Sequence, residues 1–282
     1  MKKIILSLWE YVQKLSLVHH LILVLVSIIT LAPMVWMVFL SFKTRKGFAS
    51  NPFGLPESLN FDNYLEILSS SRMLVFTINS IIVTFTSVFL IVVVSMLAGY
   101  ALARFEFPGN KFLFLGFILV DAIPVFVFLV PLFIELQWLG IGNTRWALIL
   151  PYTAMHIGIA TFIFRGFFRS ISMDIEDAAR IDGCNILQMI WYVMAPIIRP
   201  AVLVVVIVNF IGIWNEYYLA SVILPTQDLF TLPAGMASFF KKKYETNWPV
   251  MSAGIVLSIL PVFLMFMAAQ EKIVEGFRVG HK

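Results

Sequence analysis

Apolar residues fall in long blocks along this chain, separated by short polar stretches, with no sustained alternation of apolar and polar positions. Blocks of that length read as helices, and spanning a bilayer takes about 20 apolar residues. Six blocks qualify: Leu17–Phe42, Leu74–Ala103, Phe112–Leu136, Trp146–Phe168, Pro196–Leu224 and Val250–Ala269. The pattern predicts an all-α, polytopic membrane protein with six transmembrane helices. The second and fifth blocks are longer than a bilayer needs, so they tilt or protrude. Pro33, Pro124, Pro131, Pro151 and Pro261 lie inside the blocks. Membrane helices tolerate proline where neighbours satisfy the freed carbonyls.

One polar stretch stands out between the fourth and fifth blocks. It runs from Asp174 to Gly183 and on to Pro196. Its pattern predicts a helix, a glycine break and a second helix. Asp174 is placed to cap the first helix, with Asp177 three residues on as its capping-box partner. Asp174, Glu176 and Asp177 set negative charge at the positive end of the helix dipole. Gly183 suits the left-handed turn that ends the helix. Asn185 caps the second helix with Gln188 as its partner, and Ile186, Met189, Ile190 and Val193 form its apolar stripe. Pro196 marks a stop or a bend. Ala178 and Ala179 keep the first helix slim, as a docking knob requires.

Composition agrees with the pattern. The chain is 60% hydrophobic and 13% charged, more apolar surface than a soluble domain can hide. The net charge of +4 serves topology and lipid headgroups better than nucleic acid. With the N-terminus inside, about twelve of the 20 lysines and arginines fall on inner segments. That count favours cytoplasmic N- and C-termini and puts the polar hairpin in the cytoplasm. Cys184 is the lone cysteine, and the four histidines lack metal-binding spacing. No G-x-x-x-x-G-K-[ST] run is present, so ATP is not expected to bind here through a P-loop. Residues 1–16 are either an amphipathic helix on the membrane surface or the start of the first span. The n-region-like start lacks a cleavage site, so the N-terminus is expected to be retained.

Two outer segments exceed simple turns. Lys43–Arg72 holds the turn-like Asn51-Pro-Phe-Gly-Leu-Pro and a surface helix beginning near Asn60, and Pro225–Pro249 holds Thr231-Leu-Pro-Ala-Gly. They are either connectors or, given their length and aromatic content, a surface for an external partner. At membrane depth, Asp121, Asn209, Trp214, Asn215, Glu216 and Tyr217 are the candidates for a substrate pathway. Aromatic faces stack on sugar rings, and Asn or Glu bonds hydroxyls. The competing reading is an interfacial aromatic belt with interhelical hydrogen bonds. His156 reads as a neutral packed histidine. No nucleophile, base and orienter fall in order, so an enzyme is not indicated.

The hairpin and its flanks resemble the permease subunits of binding-protein-dependent ABC importers, in the carbohydrate-uptake branch. Asp177-Ala-Ala-Arg-Ile-Asp-Gly183 matches that family's EAA loop, with Val193-Met-Ala-Pro196 beyond. Asp177 stands where glutamate is usual and Ala195 where leucine is. Further family-like stretches are Asn79-Ser80, Ala98-Gly-Tyr-Ala-Leu-Ala-Arg104, Leu139-Gly-Ile-Gly-Asn-Thr144, Arg165-Gly-Phe-Phe, Trp214-Asn-Glu-Tyr and Thr231-Leu-Pro-Ala-Gly. The resemblance implies the type I ABC importer permease fold. It divides the chain into an N-terminal cytoplasmic segment, 1–16, a permease domain, 17–270, with a coupling loop at 169–195, and a short cytoplasmic tail, 271–282.

It also implies a sugar cargo, a cell-membrane location, a second homologous permease, two ATPase subunits and an extracellular substrate-binding protein. ATP and Mg2+ belong to the ATPases, and this chain needs no cofactor, metal or nucleic acid. The residues implied in ATPase docking are Glu176, Asp177, Ala178, Ala179, Asp182 and Gly183. A non-sugar importer for glycerol phosphate, peptide or amino acid is the alternative. An ion-coupled transporter is more remote, since Asp121 is the only acid near mid-span and the loop would have no task.

Overall fold

The computed structural model describes the backbone of residues 2–241 and 247–279. It describes their side chains except those of residues 2–16, Asp121, 239–241 and 269–279. The described residues form helices and connectors, with no strand among them. In order the helices are α1 (Lys2–Ser41), α2 (Arg45–Ser50), α3 (Asp62–Leu68), α4 (Ser71–Arg104), α5 (Asn110–Asp121), α6 (Leu129–Trp138) and α7 (Trp146–Ser170). They continue as α8 (Met173–Ile181), α9 (Ile186–Gln188), α10 (Ala195–Ile197), α11 (Arg199–Trp214), α12 (Tyr218–Ile223), α13 (Leu232–Lys241) and α14 (Trp248–Val279). The chain forms two compact units, one from residues 1–69 and 243–257 and the other from residues 70–242 and 258–282.

Four uninterrupted helical stretches are long and apolar enough to cross a membrane: Leu17–Ser41, Ser71–Arg104, Trp146–Ser170 and Trp248–Ala268. The third and fifth expected spans are instead broken. In the third, α5 stops at Asp121, Pro124 is extended, and α6 begins at Leu129. Proline lacks an N–H and pushes its predecessor out of the helical region. Pro131 causes no break, because it lies in the first turn of α6, where no N–H is needed. Pro33, Pro151 and Pro261 remain inside helices. In the fifth, α11 ends at Trp214 and α12 begins at Tyr218. The stretch Ile186–Ile197 meets α11 at an 82° bend. The bend falls at Ile198, two residues after Pro196 and two before Pro200.

In the first unit the end of α1 gathers its loop. The buried Lys43 Nζ donates to the carbonyls of Asn51 (2.7 Å) and Pro52 (3.3 Å), and Trp36 Nε1 also donates to Pro52 (3.1 Å). Asn63 of α3 donates to the carbonyls of Ser41 and Lys43 at 2.8 and 2.9 Å. The expected surface helix is therefore present, stitched down by main-chain acceptors. The side chains of 1–16 lie outside the described residues; the backbone continues α1 through them from Lys2.

In the second unit α4 and α7 pack most closely. A Cβ placed on Gly99 would lie 2.8 Å from Phe164 Cβ and 3.0 Å from the Arg165 backbone nitrogen. Glycine is what lets the two backbones approach, as small residues do between membrane helices. Tyr152, Phe164 and Phe168 of α7 are fully buried. After α4, Gly109 turns the chain at φ +91°. Asn110 then donates to the carbonyls of Leu102 and Phe105, closing the open end of α4.

Candidate functional site

The polar hairpin folds as two helices around a left-handed glycine. Gly183 has φ +84°, with open space where a Cβ would sit. Asn185 and Gln188 form a reciprocal capping box, each side chain bonding the other's backbone N–H at 2.9 Å. The first cap differs from expectation. Ser172, two residues before Asp174, caps α8 by accepting from the Asp174 N–H at 3.3 Å. Asp174 is already inside the helix and accepts from the Ser172 hydroxyl at 2.8 Å. Beyond α9 the chain widens into a π-helical turn, Met189–Met194, before α10 and the bend.

Of the six residues expected to dock a partner, two face inward. Glu176 is 0% exposed, and Ala179, one turn on, is buried beside it. Glu176 accepts from Arg104 Nε at 2.5 Å and from the Tyr100 hydroxyl at 2.9 Å. Arg104 is itself nearly buried, with 6% of its side chain exposed, and its Nη2 donates to the Ile171 carbonyl at 3.0 Å. Removing one member of a buried pair costs roughly 3–5 kcal/mol, because the other charge is stranded. By contrast, the Arg180–Asp177 pair at 3.0 Å is more than half exposed on both sides, and such pairs are worth under about 1 kcal/mol. Glu176 therefore holds the hairpin to the end of α4. Asp177, Ala178, Asp182 and Gly183 are exposed.

The pathway candidates scatter. Trp214 is buried, stacks on Phe210 at 5.5 Å and donates to the Ser258 carbonyl at 3.0 Å. Asn209 is buried and bonds back to Val205 of its own helix. Glu216 sits in the break between α11 and α12. It accepts from the N–H groups of Leu219 (2.7 Å) and Ala220 (3.2 Å) and from the Tyr152 hydroxyl. Its carboxylate thus supplies the acceptors that α12 lacks at its start. Asn215 and Tyr217 are exposed, and the Asp121 side chain lies outside the described residues. His156 bonds the Tyr152 carbonyl through Nδ1 at 2.8 Å, as a packed histidine does.

A family model described as "Binding-protein-dependent transport system inner membrane component" matches residues 91–279, the hairpin included. The chain belongs to that family. It is 34% identical to the diacetylchitobiose uptake system permease protein of Streptomyces coelicolor, over 95% of this chain and 89% of that one. It is 34% identical to the sulfoquinovosyl glycerol transport system permease protein of Agrobacterium fabrum, over 89% and 88%. In fold it is similar to a chain in the crystal structure of a bacterial ABC transporter involved in the import of the acidic polysaccharide alginate. That likeness has a TM-score of 0.81 at 22% identity and covers 92% of this chain and 96% of that one.

The family-like stretches of this transport component meet in space at two ends of α4. At one end, Ala98–Arg104 meets Arg165-Gly-Phe-Phe and the hairpin. Tyr100 lies edge-on to Phe168 at 5.3 Å, and Arg165 donates to the Leu102 carbonyl while its guanidinium covers the Phe114 ring at 3.7 Å. At the other end, Asn79 donates to the carbonyls of Asp228 and Phe230 at 2.8 and 3.1 Å and accepts from Arg145 Nε at 2.9 Å. Ser80 accepts from the Leu232 N–H at 2.7 Å. Of the expected apolar stripe, Met189 and Ile190 are buried but Ile186, at the start of its helix, is exposed. Ile181 is 86% exposed, and Ile186 and Leu187 are exposed beside it. Ile186 and Leu187 border a hollow of about 470 Å³ that Tyr100, Arg180 and Cys184 also line. Exposed isoleucine at a helix end next to a left-handed glycine was the readable signal.

Proposed function

We propose that this chain is one membrane-spanning half of an ABC importer for a sugar or oligosaccharide delivered by an extracellular binding protein. The observation that carries the reading is the hairpin: its surface is acidic, slim and apolar-tipped, while its inner face is clamped to α4. Asp177, Ala178, Asp182 and Gly183 face the ATPase, and Ile181, Ile186 and Leu187 supply apolar contact. The chain spans the inner membrane six times, counting the two broken spans, with both termini and residues 169–195 in the cytoplasm. A second homologous permease and two ATPases complete the assembly, and Mg2+ and ATP stay with the ATPases. Closure of the ATPases moves the hairpin as a body, and the permease breaks no covalent bond.

The cargo proposal rests on the relatives' named substrates and on the accessible pathway groups. Asn215 and Tyr217 are neutral and suit hydroxyl and ring contacts. That chemistry favours a neutral sugar such as diacetylchitobiose over an acidic one, which arginine or lysine would recognise.

The test is reconstitution with the partner subunits. Asp177→Lys and Gly183→Pro should leave the permease in the membrane yet abolish stimulation of ATP hydrolysis by loaded binding protein. Unchanged stimulation in both would sink the docking assignment. Uptake of an alginate oligosaccharide in preference to diacetylchitobiose would overturn the neutral-sugar proposal.

A further inference from the structure

Helix α8 is joined by the chain to α7 on one side and to α11 on the other. Nothing covalent joins it to α4. Yet two directional contacts bind them, both between groups that are buried or nearly so, and a third ties α4 to the end of α7. The Arg104 guanidinium forks: Nε reaches Glu176 on α8, and Nη2 reaches the carbonyl of Ile171 at the end of α7. Tyr100, one turn earlier on α4, donates to the second oxygen of Glu176. A planar guanidinium fixes both its partners in one geometry, which a lysine ammonium cannot do. Glu176 has no exposed surface with which to meet another protein. Arg180 bridges the two environments, 3.0 Å from the exposed Asp177 and 3.8 Å from Glu176.

We propose that Tyr100, Arg104 and Glu176 form a buried clamp that makes α4 part of the moving body. Motion received at Asp177 then passes to α4 directly, as well as to α7 and α11. This rests on the importer reading above and adds to it a third driven helix and its positioning residues. The close contact at Gly99 extends the same body along α7, because α4 and α7 cannot slide where backbone meets backbone. Rigid transmission needs elements that keep one arrangement while the whole switches between two.

The experiment places spin labels at Glu106→Cys, just past the end of α4, and Asp174→Cys on α8, both exposed, in a Cys184→Ser background. The labelled permease is assembled with its ATPases and second permease in nanodiscs. Label separation is measured by double electron–electron resonance without nucleotide and after trapping with MgATP and vanadate. The clamp predicts one narrow distance that is the same in both states. Adding Glu176→Gln or Arg104→Lys should broaden it and make it differ between states. A separation that changes with nucleotide in the intact clamp overturns the proposal, as does Glu176→Gln leaving the distribution narrow and unchanged. If Glu176→Gln fails to assemble, the intact pair still decides. Failure of the ATPases to co-purify with the unlabelled chain sinks the importer reading and the clamp's role with it. A complex that assembles and traps ATP but separates its labels sinks the clamp alone.

Discussion

Glu176 and Asp177 are adjacent acids with opposite surroundings. Successive residues on a helix point about 100° apart, so one carboxylate enters the protein while the next meets solvent. No apolar periodicity in α8 announced this, because the inward face consists of a glutamate and an alanine. The readable clue lay elsewhere: Tyr100 and Arg104 are four apart, hence on one face, at the end of an apolar helix. Three glycines also differ in kind. Gly99→Ala meets side chain and backbone of α7 and should cost about 1–3 kcal/mol as overpacking. Gly116→Ala meets nothing within 4 Å and should leave the detergent melting temperature unchanged or slightly raised. Gly183→Ala has room but the wrong backbone sign, a penalty of roughly 1–2 kcal/mol. Thermal unfolding of the purified permease in detergent measures all three.

The elements were legible wherever local chemistry decided them. The capping box at Asn185 and Gln188 and the left-handed Gly183 follow from residue type alone. Asn185→Ala should lower stability by about 1 kcal/mol. Ser172→Ala should lower it less, since its bond is longer. The broken spans were harder to read. An apolar block looks the same whether one helix crosses or two short ones meet, and only the backbone shows that Pro124 breaks while Pro151 does not. The break at Asn215–Tyr217 is stabilised by Glu216, whose residue type suggested a substrate contact just as well. Glu216→Gln keeps one acceptor oxygen and turns an amide NH2 toward the donors that the other oxygen now serves. It should cost about 1–3 kcal/mol, the penalty for leaving a buried donor unsatisfied, and leave cargo affinity unchanged. A loss of binding-protein-delivered cargo without loss of melting temperature would return Glu216 to the pathway.

For the whole molecule, hydropathy gave the all-helical membrane class, but span number rests on how broken helices are counted. Cysteine labelling in a Cys184→Ser background separates the possibilities. With six spans, an impermeant maleimide applied to intact cells should label cysteines at Phe53 and Ser69 and leave those at Glu106 and Asp182 unlabelled until the membrane is opened. Reactivity at Asp182 from outside would invert the topology. The stretch from Leu224 to Lys241 is fixed in a particular way: Asn79 grips the peptide carbonyls of residues 228 and 230, and Ser80 takes the N–H of residue 232. Its inward residues are constrained, since a Cβ on Gly235 would overlap the Phe76 ring and Leu232, Ala234 and Met236 are buried, but the backbone fastening asks nothing of its outward side chains. The outward side chain of Asp228 takes no part in that fastening and is therefore free to diverge between descendants of one ancestor without refolding the scaffold.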